Sequence, residues 1–209
     1  MDSIIFDLDG TLWDPIDSVL EAWNKVTDDH DKVKGKVTRK HLEGTMGLQM
    51  KEIGEKLFPE LDEEETGQLL ENLSKHEIPH LSKNGGHVYD HVEAVLEKLS
   101  KRYKLFIVSN CQHGYIEAFY EFHGLDKHFL DYENPGRTGL SKGENIKLVM
   151  ERNNLASPVY VGDTKGDQKA AEEAGVPFVY ARYGFGEVDE YEHAIDSFDE
   201  LMKIVPIES

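Results

Sequence analysis

Two hydrophobic rhythms alternate along this chain. Five short runs rich in β-branched and aromatic residues, at 3–8, 104–109, 129–132, 159–162 and 178–181, have the length and continuity of strands buried on both faces. Between them apolar residues recur at helical spacing, as in Val92, Val95, Leu96, Leu99 and Tyr103, and again in Ile116, Phe119 and Phe122. Ser141 with Glu144, and Ser197 with Glu200, have the spacing of capping boxes that open two further helices. Strands separated by helices predict an α/β fold, a parallel Rossmann-like sheet with helices on both faces.

Residues 14–84 break the rhythm, because no strand pattern occurs there. Ile16, Val19, Leu20 and Trp23 form one amphipathic stripe, Leu69, Leu70 and Leu73 form part of another, and Pro59 and Pro79 punctuate the stretch. The pattern predicts a helical cap domain at 14–84 inserted into an α/β core made of 1–13 and 85–209. Asn84-Gly85-Gly86 reads as a return hinge or a plain flexible loop. An insertion that leaves the sheet after its first strand stands where it can close over that strand's end as a lid. The acidic stretch from Asp62 to Glu65 reads as the solvated first turn of a helix, where negative charge is favoured.

Composition narrows the class. A chain of 209 residues buries a substantial core as one domain or one domain with an insertion. Its formal charge of -18 argues against nucleic acid or an anionic membrane surface as partner. No stretch approaches a membrane span, and no basic region precedes the short apolar run at the N-terminus. The single cysteine, Cys111, excludes an internal disulfide and a cysteine-rich zinc site, which fits a reducing cytoplasm. The expected protein is cytoplasmic, a monomer or weak homodimer. The ten histidines are scattered without metal spacing and read as surface or packing residues.

Chemistry concentrates where strands run out. Asp7-Leu8-Asp9-Gly10-Thr11 follows the apolar Ile4-Ile5-Phe6 directly. In an open α/β sheet the crevice beyond the carboxyl ends of the strands is where ligands bind. One carboxylate fixed there can attack an electrophile while a second moves a proton. A calcium loop fails on spacing, since counting from Asp7 puts Leu12 where glycine is required and Ser18 where the closing glutamate belongs. Three later segments complete the set: Ser109-Asn110 after 106–108, Lys142 as the first residue after the cap Ser141, and Gly162-Asp163 after 159–161, with Asp167 one turn on. These parts suit a phosphoryl group. The Ser109 hydroxyl and nearby backbone N–H groups donate to phosphate oxygens, and Lys142 adds its charge to that of a helix N-terminus. Asp7 and Asp163 offer the hard oxygens that Mg²⁺ takes. Each pair of like charges at about 4 Å costs roughly 4 kcal/mol at an effective dielectric near 20, so several carboxylates and a phosphate need a divalent cation.

In this order and at these positions, the four segments resemble the motifs of the haloacid dehalogenase superfamily, phosphatase branch, along essentially the whole chain. The resemblance implies a helical cap of the family's first type and a Mg²⁺-dependent hydrolase of a small phosphorylated metabolite. It implies that Asp7 is the nucleophile that forms an aspartyl-phosphate and that Asp9 protonates the leaving oxygen, then activates water. It further implies that Asp7, the Asp9 carbonyl and Asp163 hold the metal, with Asp167 supporting the metal or Lys142. Thr11, Ser109, Asn110 and Lys142 then bind the substrate phosphate. The acid at Asp9 favours phosphate esters over the dehalogenase and phosphonate-cleaving branches, which lack it. Sugar-phosphate mutases are the alternative, and a noncatalytic binding protein a more distant one. The mutases tend to carry an arginine after the cap glycine; the corresponding stretch here is Gly47-Leu48-Gln49-Met50, followed by Lys51. Tyr183-Gly184-Phe185-Gly186 resembles a loop of phosphoglycolate-phosphatase-like members, although many of these have lysine where this chain has Cys111. Substrate selection is expected from cap residues such as Arg39, Lys40, His41, Gln49 and Lys51.

Overall fold

The computed structural model describes residues 1–205. In chain order its elements begin with β1 (Ser3–Phe6), β2 (Trp13–Asp14), α1 (Ile16–Thr27), α2 (Arg39–Glu43), α3 (Met50–Leu57) and α4 (Glu63–Asn84). They continue with β3 (His87–Val88), α5 (Val92–Leu99), β4 (Lys104–Val108), α6 (Tyr115–His123), β5 (Asp131–Glu133) and α7 (Pro135–Thr138). The last are α8 (Lys142–Arg152), β6 (Pro158–Gly162), α9 (Lys165–Ala174), β7 (Phe178–Ala181), β8 (His193–Ile195) and α10 (Leu201–Ile204). Six strands form one parallel sheet in the order β5-β4-β1-β6-β7-β8.

Successive residues of β1 point to opposite faces, and both faces are covered. Ile5, Phe106, Val108 and Tyr160 pack on Ile146, Val149, Ala170 and Ala171 of α8 and α9. Ile4, Phe6, Ile107 and Val161 belong to the other core, which runs through α5 and α6 into the helical segment by way of Trp13, Trp23 and Leu73. Burial on both sides explains why the central strands read as unbroken apolar runs. Among the described residues no helix is long and apolar enough to cross a membrane.

The chain leaves and rejoins the core across a two-stranded antiparallel ribbon, with Trp13 opposite Val88 and Asp14 opposite His87. Between its strands the chain is helical, as the pattern predicts, but Pro79 does not interrupt it. α4 runs through Pro79 to Asn84, packed along α1 and α6. Burial of Leu69, Leu70, Leu73 and Leu81 offsets the roughly 3 kcal/mol that an internal proline costs a helix. Asp62 caps α4 by accepting from the Glu65 N–H, and Gly85, at φ 65°, ends it.

Three other expectations are corrected. The third strand begins at Asp131 rather than 129, because a 3-10 turn at Asp126–His128 delays it and leaves Leu130 exposed. β8, with only Ala194 and Ile195 apolar, is too short and too near the sheet edge to show a pattern. Ser197 makes no side-chain cap; it opens a 3-10 turn, Phe198–Glu200, while the Glu200 carboxylate takes the Asp196 N–H at 2.8 Å. The Ser141 capping box forms as expected.

Candidate active site

Adjacent strands β4, β1 and β6 end side by side, and each delivers polar residues at its carboxyl end. Asp7 and Asp9 follow β1, Ser109 and Asn110 follow β4, and Asp163 follows β6. Two helix starts close the circle. The Ser141 cap starts α8 at Lys142, and Thr164 caps α9 by accepting from the Asp167 N–H, which brings the Asp167 side chain inward.

Lys142 is the charge at the centre. Its Nζ lies 2.9 Å from Asp7 Oδ1 and 2.6 Å from Asp167 Oδ1, and all three side chains are buried. Burial alone lowers a lysine, but the Asp167 and Asp7 carboxylates hold this ammonium well above its ordinary range. Asp167 is saturated. Its Oδ1 also accepts from the Tyr160 hydroxyl at 3.3 Å, and its Oδ2 accepts from the Thr164 hydroxyl at 2.7 Å and from two backbone N–H groups.

Carboxylate oxygens of Asp7, Asp163 and Asp167 all lie within 4.8 Å of one another. One ammonium does not neutralise three carboxylates. Burial, then repulsion from Asp167, pushes Asp7 up to about 6, and burial with Asp167 and Asp7 raises Asp163 well above the carboxylate range. Asp163 is held by the Phe185 N–H at 2.7 Å and, more weakly, by the Thr11 hydroxyl at 3.4 Å. The loop containing Phe185 therefore touches the site. Gly184 within it lies so close to Asp163 and the Gly10 carbonyl that a Cβ has no room. The Tyr183 hydroxyl fastens the loop to the Thr11 carbonyl at 2.8 Å.

Asp9 has a different environment. Its Oδ1 accepts from the Trp13 indole at 2.7 Å and the Tyr115 hydroxyl at 3.1 Å, so Oδ2 is left for a proton. Burial, then the Asp7 charge, pushes its pKa up to about 7. A carboxyl poised there is suited to exchange protons near neutral pH.

The polar residues after β4 are used in part by the protein itself. The Ser109 N–H is taken by the Glu133 carbonyl at 3.3 Å, which leaves the hydroxyl, not that N–H, as a donor to a ligand. The Asn110 amide donates to the Gly47 carbonyl at 2.9 Å, tying the core to the helical segment, while its Oδ1 is buried without a hydrogen-bond partner among the described residues. Asp7, Asp9, Ser109 and Asn110 meet the helical segment around a cavity of about 50 Å³.

None of Arg39, Lys40, His41, Gln49 or Lys51 lines that cavity. Arg39 is engaged by Asp14, Asp17 and Glu43, and Lys51 pairs with Glu63 at 3.0 Å on the surface. The wall is instead mostly apolar, with one acid that the sequence pattern does not single out, Glu77 of α4. Glu77 is only 3% exposed and accepts a hydrogen bond from the Gln112 amide. Burial, then the charge of Asp9, pushes it up to about 8. Trp23 is read from sequence only as part of an amphipathic stripe, and Tyr115 is not singled out, because nothing local marks an aromatic that borders a cavity.

The profile of the family described as haloacid dehalogenase-like hydrolase matches residues 4–181. Phosphoglycolate phosphatase of Photobacterium profundum is 27% identical over 223 aligned residues, covering 98% of this chain and 95% of that protein. Two solved structures share the fold. A predicted phosphoglycolate phosphatase from Haemophilus somnus superposes with a TM-score of 0.85 at 20% identity, covering 98% of this chain and 97% of the other. A predicted phosphatase from Clostridium acetobutylicum superposes with a TM-score of 0.82 at 23% identity, with the same coverage of 98% and 97%.

Proposed function

Since the chain belongs to the haloacid dehalogenase-like hydrolase family, we propose that this phosphatase is a Mg²⁺-dependent phosphomonoesterase of a small metabolite, working through an aspartyl-phosphate on Asp7. The observation that carries the reading is the division of labour between the two carboxyls after β1. Asp7 is buried against Lys142, whereas Asp9 sits beside it at about 7 with one oxygen spoken for.

In this reading an Asp7 oxygen attacks phosphorus as the ester oxygen departs, and Asp9 gives that oxygen its proton. Asp9 then takes a proton from water, which attacks the same phosphorus and frees inorganic phosphate and Asp7. Lys142 and the Ser109 hydroxyl hold the phosphoryl oxygens, and Asn110 and Thr11 fix the loops around them. Asp167, with both oxygens occupied, positions Lys142. The donor set fits a hard divalent cation: Asp7 and Asp163 bring oxygens within 4.8 Å of each other, burial raises both, and Asp163 has no cationic partner of its own among the described residues. When bound there with the Asp9 carbonyl as a further ligand, Mg²⁺ supplies the positive charge that lets a phosphate approach several carboxylates. The helical segment 14–84 is then the cap that covers the reacting groups.

A mutase needs a grip on a second phosphate, and no lysine, arginine or histidine lines the cavity among the described residues. Hydrolysis is therefore the better-supported outcome. Incubation of the purified protein with nitrophenyl phosphate and phosphorylated metabolites should release inorganic phosphate with Mg²⁺ and lose that activity in chelator. Full turnover in chelator with no bound metal would remove the metal from the reading.

A further inference from the structure

Two aromatic donors converge on one oxygen of Asp9. The turn after β1 closes on itself, with the Gly10 N–H given to the Trp13 carbonyl at 2.9 Å and the Trp13 N–H to the Leu8 carbonyl at 3.3 Å. That closure brings the Trp13 indole back to Asp9, where its N–H reaches Oδ1 at 2.7 Å. The second donor comes from another part of the core. Tyr115 opens α6, 106 positions away in the chain, and its hydroxyl reaches the same Oδ1 at 3.1 Å. Trp13 is fully buried and Tyr115 nearly so. Their rings meet edge to face with centroids 5.9 Å apart, and the Phe119 ring lies 5.0 Å from the indole. In so packed a setting neither donor swings away from Asp9 without displacing its neighbours.

We propose that Trp13 and Tyr115 are positioning residues for the hydrolysis: together they occupy both lone pairs of Asp9 Oδ1, so that Oδ2 alone carries the proton given to the leaving oxygen. The inference rests on the reading of Asp9 as the acid and base of a phosphomonoesterase, and deepens it. Each oxygen of a carboxylate offers two lone pairs, and an indole N–H only donates. With both pairs of Oδ1 engaged, a proton placed there displaces one of the two bonds, whereas a proton on Oδ2 displaces neither. The same two bonds fix the rotation of the carboxyl. That matters to rate, because a misplacement of about 1 Å can cost roughly 100-fold. A buried indole N–H or tyrosine hydroxyl needs a partner for packing alone. A bond made only for packing, however, has no reason to favour one leaving group over another.

The test compares phenyl phosphate, whose leaving oxygen is the more basic, with nitrophenyl phosphate, which needs less help from an acid. Both release a phenol that is read optically, so the phosphorylation step is followed by rapid mixing with Mg²⁺ even where later steps stall. Tyr115→Phe removes one oxygen atom, and Trp13→Phe keeps a ring in the aromatic stack. Each should lower the phenyl-to-nitrophenyl rate ratio by about 5- to 10-fold, the worth of one hydrogen bond, and the double variant should lower it further than either. In the Asp9→Asn protein, which has no proton to give there, neither change should move the ratio by more than about 2-fold, because a residue that acts through Asp9 is silent without it. Urea midpoints report whether each variant is folded, and Tyr115→Phe stands as a test even where Trp13→Phe misfolds. A ratio that Tyr115→Phe leaves unchanged would overturn the inference, as would an equal loss in the Asp9→Asn background. An undiminished ratio in Asp9→Asn itself would instead bring down Asp9 as the acid, and this inference with it.

Discussion

Glu77→Gln exchanges a buried carboxyl for an amide of nearly the same size and removes its titration. Burial, then the neighbouring Asp9, carries this carboxyl from an ordinary 4.5 to about 8 in the folded protein. A raised carboxyl binds its proton more tightly when folded, so its contribution is whole below 4.5 and is lost as pH rises through 8. Each tenfold change in proton concentration is worth about 1.4 kcal/mol, which sets a ceiling of roughly 5 kcal/mol against folding above that range. Between about pH 6 and pH 9 the wild type should lose about 2 to 3 kcal/mol of that amount. Glu77→Gln escapes this loss, because an amide cannot ionise, and its carbonyl can still accept from Gln112. Urea unfolding of both proteins in chelator, across that pH range, reads the difference directly. The variant should gain on the wild type steadily across that range, its lead in urea midpoint growing by about 1 M from the acid end to the alkaline end. Parallel stability curves would refute the reasoning and mean that Glu77 titrates like an exposed side chain.

Lys142→Met should destabilise the protein by about 3 to 5 kcal/mol in chelator, because it strands the Asp7 and Asp167 carboxylates in the interior; unchanged denaturation midpoints would contradict the central role of that ammonium. Asp9→Asn should slow hydrolysis of an alkyl phosphate by roughly 10²- to 10⁴-fold, with a smaller loss in the phosphorylation step for nitrophenyl phosphate, whose leaving group needs less help. Equal losses in that step, measured by rapid mixing, would argue against Asp9 as the acid.

Much of the site was legible because it is local. A carboxylate after an apolar run, or a lysine after a serine cap, is placed by a single strand end or helix start, and Asp7, Lys142 and Asp163 owe their positions to nothing more. Side chains whose meaning comes from distant partners were not legible in the same way. Glu77 lies in a helix of charged residues, and only the packing of α4 against α1 and α6 turns it inward. Lys51 stood beside the cavity in sequence, yet its helix directs it to Glu63. Asn110 reads from sequence as a phosphate-binding residue, and what the sequence does not show is that one of its amide hydrogens goes to the Gly47 carbonyl, a contact between residues 63 positions apart. The fold shows the same division. Long, doubly buried strands carried their own signature, whereas the ribbon of β2 and β3, two residues each, exists only because the chain must cross there. Pro79 was misleading because tertiary packing overrode its local preference.

The central claim, a covalent intermediate on Asp7, is tested most directly with the Asp9→Asn protein and nitrophenyl phosphate in Mg²⁺. Phosphorylation of Asp7 should still proceed with this activated ester, while the water attack that needs a base at Asp9 should stall. Acid quenching followed by intact-mass measurement and peptide mapping should find about one phosphoryl group per chain, located on Asp7, alongside a matching burst of nitrophenolate. Phosphate release with no burst, and Asp7 unmodified throughout, would contradict the account.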